Sequence, residues 1–154
     1  MNALAQPLPV RERRYLQPGQ LVVSVLPAAV TTILGSCIAV CLWEPQRGIG
    51  GMNHFMLPMG SAGPRFGPAA MEQLLEKMRG AGARLPLLRA KVFGGACMFA
   101  EMQSSAHLGQ KNADVAIDFL KRRGIEIVQT DVGGNRGRKL IFHTDEGTTW
   151  LTSI

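Results

Sequence analysis

Residues 38–57 read IAVCLWEPQRGIGGMNHFML. Ile38 to Trp43 is a continuous apolar run of six, short for a helix and rich enough in apolar residues for a strand buried on both faces. Glu44-Pro45-Gln46-Arg47-Gly48 breaks it, because Pro and Gly punctuate a turn. Ile49 to Leu57 then returns as a second strand, so the stretch predicts an antiparallel hairpin. Residues 38–43 and 49–54 number six each, and simple pairing across the 44–48 turn lays the start of one arm beside the end of the other.

The rest of the chain extends this pattern. Leu21-Val22-Val23-Ser24-Val25 and Val30 to Ile33 are rich in β-branched residues and read as strands. After a loop over Ser61 to Gly67, Pro68 to Arg79 reads as a helix with Pro in its first turn. Its Met71, Leu74, Leu75 and Met78 share one face, and Gly80 and Gly82 end it. Ala90 to Phe93 is a short strand running into Gly94-Gly95. Lys111 to Arg123 is a second helix with Val115, Ala116, Phe119 and Leu120 as its stripe. Ile125 to Thr130 is a strand, Gly133 to Gly137 a glycine loop, and Lys139 to His143 with Thr148 to Thr152 a closing hairpin. About eight strands and two main helices predict an α+β chain, with one or two mixed sheets covered by helices. Residues 1–14, with Pro7, Pro9, Arg11, Arg13 and Arg14, read as a flexible basic arm, and residues 15–154 as one domain.

Composition narrows the function classes. The apolar fraction is 46% and the charged fraction 18% over 154 residues, enough to bury one core and too little charge for disorder. The net charge of +6 attracts polyanions. No aromatic residues interleave with the basic runs, so an RNA-stacking surface is not expected and nucleic acid is not an expected partner. No apolar run approaches the length of a membrane span and none of the first 14 residues resembles a signal peptide. A cytoplasmic protein without direct membrane insertion is expected. The three cysteines are then reduced thiols, each to be read as core, ligand or nucleophile.

The chemistry concentrates in Thr31-Thr32-Ile33-Leu34-Gly35-Ser36-Cys37. A Gly-Ser-Cys turn before a buried strand can aim a thiol into a cleft, with the backbone N–H groups of Ser36 and Cys37 open to an oxyanion. Read alone, Cys37 is a small core residue. His54 changes that reading, because hairpin pairing brings it near Cys37. A Cys–His pair gives an activated nucleophile, while a buried structural histidine stays open as an alternative. No carboxylate is near to orient the imidazole. Thr31 and Thr32 both offer a hydroxyl; Thr31 is preferred and Thr32 stays open. Cys41, about 13 Å from Cys37 along a strand, is beyond disulfide reach and reads as core, as does Cys97. No C-x-x-C pair is present, so no metal is expected. Gly133 to Lys139 lacks the spacing of a phosphate loop and reads as a turn carrying basic side chains. His107 and His143 carry no motif.

Together these stretches resemble the CheD family of chemoreceptor glutamine deamidases. The likeness rests on Thr31 to Cys37, Gly50 to Pro58, Lys91 to Ala96, the Gly109 to Asn112 turn, Asp131 to Gly134 and Gly137-Arg138-Lys139. The resemblance implies a β-sandwich with helices packed on the outside, similar to deamidating bacterial toxins. It implies hydrolysis of receptor glutamines to glutamate through a cysteine thioester without a cofactor, and in some members hydrolysis of glutamyl methyl esters. It assigns Cys37, His54 and, by offset from the cysteine, Thr31 as catalytic residues. The implied partners are the cytoplasmic helical domain of chemoreceptors and, in some bacteria, a chemotaxis phosphatase that the family stimulates, so a phosphatase-binding module is the alternative function. Substrate-binding residues are not legible.

Overall fold

The computed structural model describes residues 9–98 and 107–154. Within them run β1 (Glu12–Tyr15), β2 (Leu21–Ser24), β3 (Ala28–Leu34), β4 (Ile38–Glu44), β5 (Ile49–Asn53), α1 (Gly67–Gly80), β6 (Arg89–Gly94), α2 (Leu108–Arg122), β7 (Glu126–Val132), β8 (Arg138–His143) and β9 (Thr149–Ser153). The strands form two mixed sheets, in the orders β1-β3-β8-β9 and β2-β5-β4-β6-β7. β6 and β7 are parallel, which requires a crossover, and α2 supplies it.

β4 explains the layering. Every one of its residues is buried. Ala39, Cys41 and Trp43 join Val30, Leu34, Leu140 and Phe142 of the other sheet in one apolar cluster. Ile38, Val40 and Leu42 join Met71, Leu74, Leu75 and Met78 of α1 and Ala113, Ala116 and Leu120 of α2 in another. Successive strand residues point to opposite faces, so the unbroken apolar run of β4 serves two cores at once. The result is sheet on sheet with both helices outside the second sheet, the expected α+β sandwich.

Two expectations need correction. The basic arm does not stay loose up to residue 14. Glu12 to Tyr15 pair in parallel with Ala28 to Thr31, and Arg11 grips Asp145 through two bonds of 2.9 and 3.0 Å. The folded domain therefore begins by Arg11; residues 1–8, with Pro7, lie outside the described residues. Burial lowers the charge state of neither partner: the Arg11 guanidinium holds Asp145 below the usual carboxylate range against the opposing effect of desolvation. The partner is 134 positions away, so no local pattern announces the pairing.

The second correction concerns register. Pairing six residues with six sets Ile38 opposite His54. In the structure Glu44 belongs to the strand and pairs with Ile49, Trp43 with Gly50 and Cys41 with Met52; the same register continues to the bridge Ile38↔Phe55. His54 therefore lies opposite Ala39. A one-residue slip turns every side chain to the other face, and here that slip matters. Six-on-six pairing would send His54 to the helix side, away from Cys37. The observed register puts His54 on the inter-sheet face with Ala39, diagonal to Cys37, which packs against the same inter-sheet cluster.

Candidate active site

The site forms where the end of β3, the turn into β4 and the residue after β5 meet between the two sheets. His54 is 1% exposed. Its Nδ1 lies 2.7 Å from the Oγ1 of Thr32. The same hydroxyl donates to the carbonyl of Leu16 at 2.7 Å. A threonine hydroxyl has one proton. With that proton on Leu16, Thr32 must accept from His54, so Nδ1 carries the hydrogen and Nε2 keeps its lone pair. Nε2 is buried and has no hydrogen-bond partner among the described residues. The arrangement is a neutral imidazole oriented from behind, with a vacant acceptor: the state a general base needs.

Thr32, not the preferred Thr31, therefore holds the imidazole. In β3, Val30, Thr32 and Leu34 are fully buried, while Thr31 is half-buried and Ile33 exposed. Thr31 points to the opposite face from Thr32. The strand direction, fixed by pairing with β1 and β8, decides between the two hydroxyls.

The turn bearing Cys37 is held by its carbonyls. Gly35 O accepts from Ala96 N at 3.0 Å and Cys37 O from Gly95 N at 2.9 Å. Ser36 O accepts from Asn112 Nδ2 at 3.0 Å, and that amide also donates to Met56 O at 3.0 Å. The N–H groups of Ser36 and Cys37 donate to no described residue. Gly94, at φ +114°, allows this approach, since a Cβ there would overlap the Cys37 carbonyl oxygen. Behind it, the buried Arg138 bonds Asp131 at 2.9 Å, Gly133 O at 2.8 Å and Gly94 O at 3.2 Å. Arg138, read in sequence as part of a turn carrying basic side chains, ties the glycine loop to the nucleophile's neighbours. An apolar hollow of about 210 Å³ opens beside Ser36, lined by Cys97, Met98 and Leu108 among others.

Burial dominates the electrostatics. It raises the Cys37 thiol pKa above its ordinary value and lowers that of His54 to about 4. The pair rests as thiol and neutral imidazole. Cys41 is fully buried in the inter-sheet core with its pKa pushed far up by burial, as its reading as core requires. Cys97 is buried at the hollow. No disulfide joins the three thiols. His107 caps α2 by accepting from Gln110 N at 3.1 Å. The His143 ring packs tilted against Trp150, with ring centroids 4.4 Å apart and planes at 59°.

His54 also links stability to pH. An ordinary histidine titrates near 6.5, so between about pH 6.5 and 4 the unfolded chain binds a proton that the folded chain refuses. Its contribution is complete above about pH 6.5 and lost as pH falls through 4, on the order of 3 kcal/mol in all. Urea unfolding at pH 7 and pH 4 is expected to show that loss in the wild type and not in His54→Asn, which keeps a donor for Thr32. Equal acid sensitivity in the two proteins would contradict it.

The family model described as CheD chemotactic sensory transduction matches residues 56–153. An Anaeromyxobacter dehalogenans protein named "Probable chemoreceptor glutamine deamidase CheD 1" is 45% identical over 147 residues, covering 94% of this chain and 86% of that protein. A Trichlorobacter lovleyi protein named "Probable chemoreceptor glutamine deamidase CheD" is 44% identical over 147 residues, covering 93% and 91%. Among solved structures, Bacillus licheniformis hypothetical protein YfiH aligns at a TM-score of 0.51 with 14% identity, over 75% of this chain and 51% of that one. That likeness concerns the fold alone. With the sandwich, the Cys37 turn and the oriented His54 in view, these matches over nearly the whole sequence show that the chain belongs to the CheD family.

Proposed function

We propose that the chain hydrolyses the side-chain amides of selected chemoreceptor glutamines, giving glutamate and ammonia, with Cys37 as nucleophile. The observation that carries this reading is the buried, unpartnered Nε2 of His54, on the same inter-sheet face as Cys37 and with its tautomer fixed by Thr32 and Leu16. The names of the relatives supply the substrate.

In this mechanism the thiol proton passes to Nε2 as sulfur attacks the carboxamide carbon. Because burial disfavours both a free thiolate and an imidazolium, transfer and attack go together. The new S–C bond leaves a tetrahedral oxyanion, to which the Ser36 and Cys37 N–H groups donate hydrogen bonds. The intermediate collapses, the C–N bond breaks, and the imidazolium returns its proton to the departing nitrogen, releasing ammonia. Water, deprotonated by the same Nε2, then cleaves the thioester to glutamate and restores the thiol. A glutamyl methyl ester would follow the same path with methanol as leaving group. The substrate glutamine lies on the cytoplasmic helical domain of a receptor, so the enzyme works in the cytosol.

Incubation of a receptor cytoplasmic fragment with the protein is expected to add about 1 Da at each converted glutamine, read by peptide mass spectrometry, with equimolar ammonia. A folded protein that leaves a cognate receptor unchanged would overturn deamidation and favour the phosphatase-binding role.

A further inference from the structure

We propose that Asn112 of α2 is a positioning residue that aims the Cys37 N–H at the oxyanion. The inference rests on the reading of Cys37 as an acyl-accepting nucleophile. Ser36 C=O and Cys37 N–H belong to one peptide unit. That unit is planar and trans, so the two groups point in opposite directions. A hydrogen bond that fixes the carbonyl therefore fixes the aim of the N–H. Asn112 makes that bond, and its second amide hydrogen goes to Met56 O, two residues beyond His54. One side chain thus joins the nucleophile's turn to the segment that carries the base.

Three features separate this from ordinary packing. The flanking carbonyls, Gly35 O and Cys37 O, are held by main-chain donors, so the middle peptide is the one whose orientation depends on a side chain. Asn112 is fully buried, yet its Oδ1 has no partner among the described residues. An apolar side chain of similar size would fill that space without burying an unsatisfied acceptor. Finally, α2 is brought close by Gly109, where a Cβ would overlap Gly95 O. Asn112, three residues on, shares its face of the helix and reaches both carbonyls.

The test separates two reactions of the same thiol. Acylation of Cys37 by p-nitrophenyl acetate passes through a tetrahedral oxyanion: sulfur bonds the carbonyl carbon, then p-nitrophenolate leaves and a thioester remains. Alkylation by iodoacetamide displaces iodide at carbon and forms no oxyanion. Rates are measured for the wild type, Asn112→Leu and Asn112→Asp, with Cys37→Ala as background. Neither variant can supply both amide hydrogens, and the aspartate keeps the shape in case the leucine variant does not fold. Acylation is expected to fall roughly tenfold or more, with alkylation within about twofold of the wild type. Acylation unchanged, both rates falling together, or loss of folding in both variants would overturn the inference and leave Asn112 a structural residue. A wild type that acylates normally but leaves receptor glutamines intact would overturn the deamidase reading and not this one.

Discussion

Cys37→Ala is expected to abolish deamidation, lowering kcat by at least roughly 10⁴-fold, because it removes the sulfur that forms the covalent intermediate. Cys41 is the natural control. It is also a thiol, four residues along β4, but it is fully buried among Ala39, Phe93 and Phe142. With its ionisation strongly opposed by burial, it has neither access to substrate nor a thiolate to offer. Cys41→Ala removes one sulfur atom from the core, is expected to cost about 1 kcal/mol of stability, and should retain most activity. Cys37→Ser tests the chemistry further. His54 is a weak base, with a pKa lowered to about 4, and an alcohol gives up its proton far less readily than a thiol. The serine variant is therefore expected to be nearly as inactive as the alanine variant. The measurement is mass shift and ammonia release from a receptor fragment, beside thermal unfolding to certify the fold. Substantial turnover by Cys37→Ala, or loss of turnover in a folded Cys41→Ala, would mean that another group is the nucleophile.

How far the sequence could be read depended on whether the signal was local. The apolar run of β4, the two helical stripes and the glycine turns each lie within a short window, and the structure has strands, helices and turns there. The layered sandwich follows once the run over Ile38 to Trp43 is understood as facing two cores. What escaped was set by partners far away in sequence. β1 is polar and exposed along its length, so no periodicity marks it; it exists because Ala28 to Thr31 offer a parallel partner and Asp145 anchors Arg11. That Cys37 and His54 lie near one another was legible from spacing, yet the spacing argument reached the right neighbourhood through the wrong register. Asn53 shows why the strand ended early: its Oδ1 accepts from Val40 N at 2.9 Å, so a side chain takes the place of a ladder bond there. Asn112 was visible only as part of a Gly-x-x-Asn turn. Its role depends on a helix docking across the back of the sheet, which no window around residue 112 contains.

Thr32→Val is expected to lower kcat roughly 100-fold, while Thr31→Val stays within a few-fold of the wild type. Valine has the shape of threonine, so the first substitution removes the hydroxyl with little change in packing. It leaves the His54 Nδ1–H and the Leu16 carbonyl both buried and unpaired, which also costs about 1–3 kcal/mol of stability. The catalytic loss has a separate cause. Without an acceptor on Nδ1 the ring can rotate or exchange tautomer, and the lone pair on Nε2 is no longer aimed at the thiol. Loss of a carboxylate orienter in a serine protease triad costs roughly 10⁴; a neutral hydroxyl stabilises the imidazolium less, so a smaller penalty is expected here. Thr32→Ser restores a hydroxyl able to accept from Nδ1 and donate to Leu16 O, and is expected to recover most of the activity. That recovery separates orientation from packing, because serine lacks the methyl group and packs worse than valine. The two threonines are adjacent, both β-branched and chemically identical, and differ in which face of β3 they occupy. If Thr31→Val proves the damaging change and Thr32→Val is benign, the imidazole is held in the working enzyme by the other hydroxyl. β3 would then have to turn its faces over against β8, carrying Val30 and Leu34 out of the inter-sheet core with it.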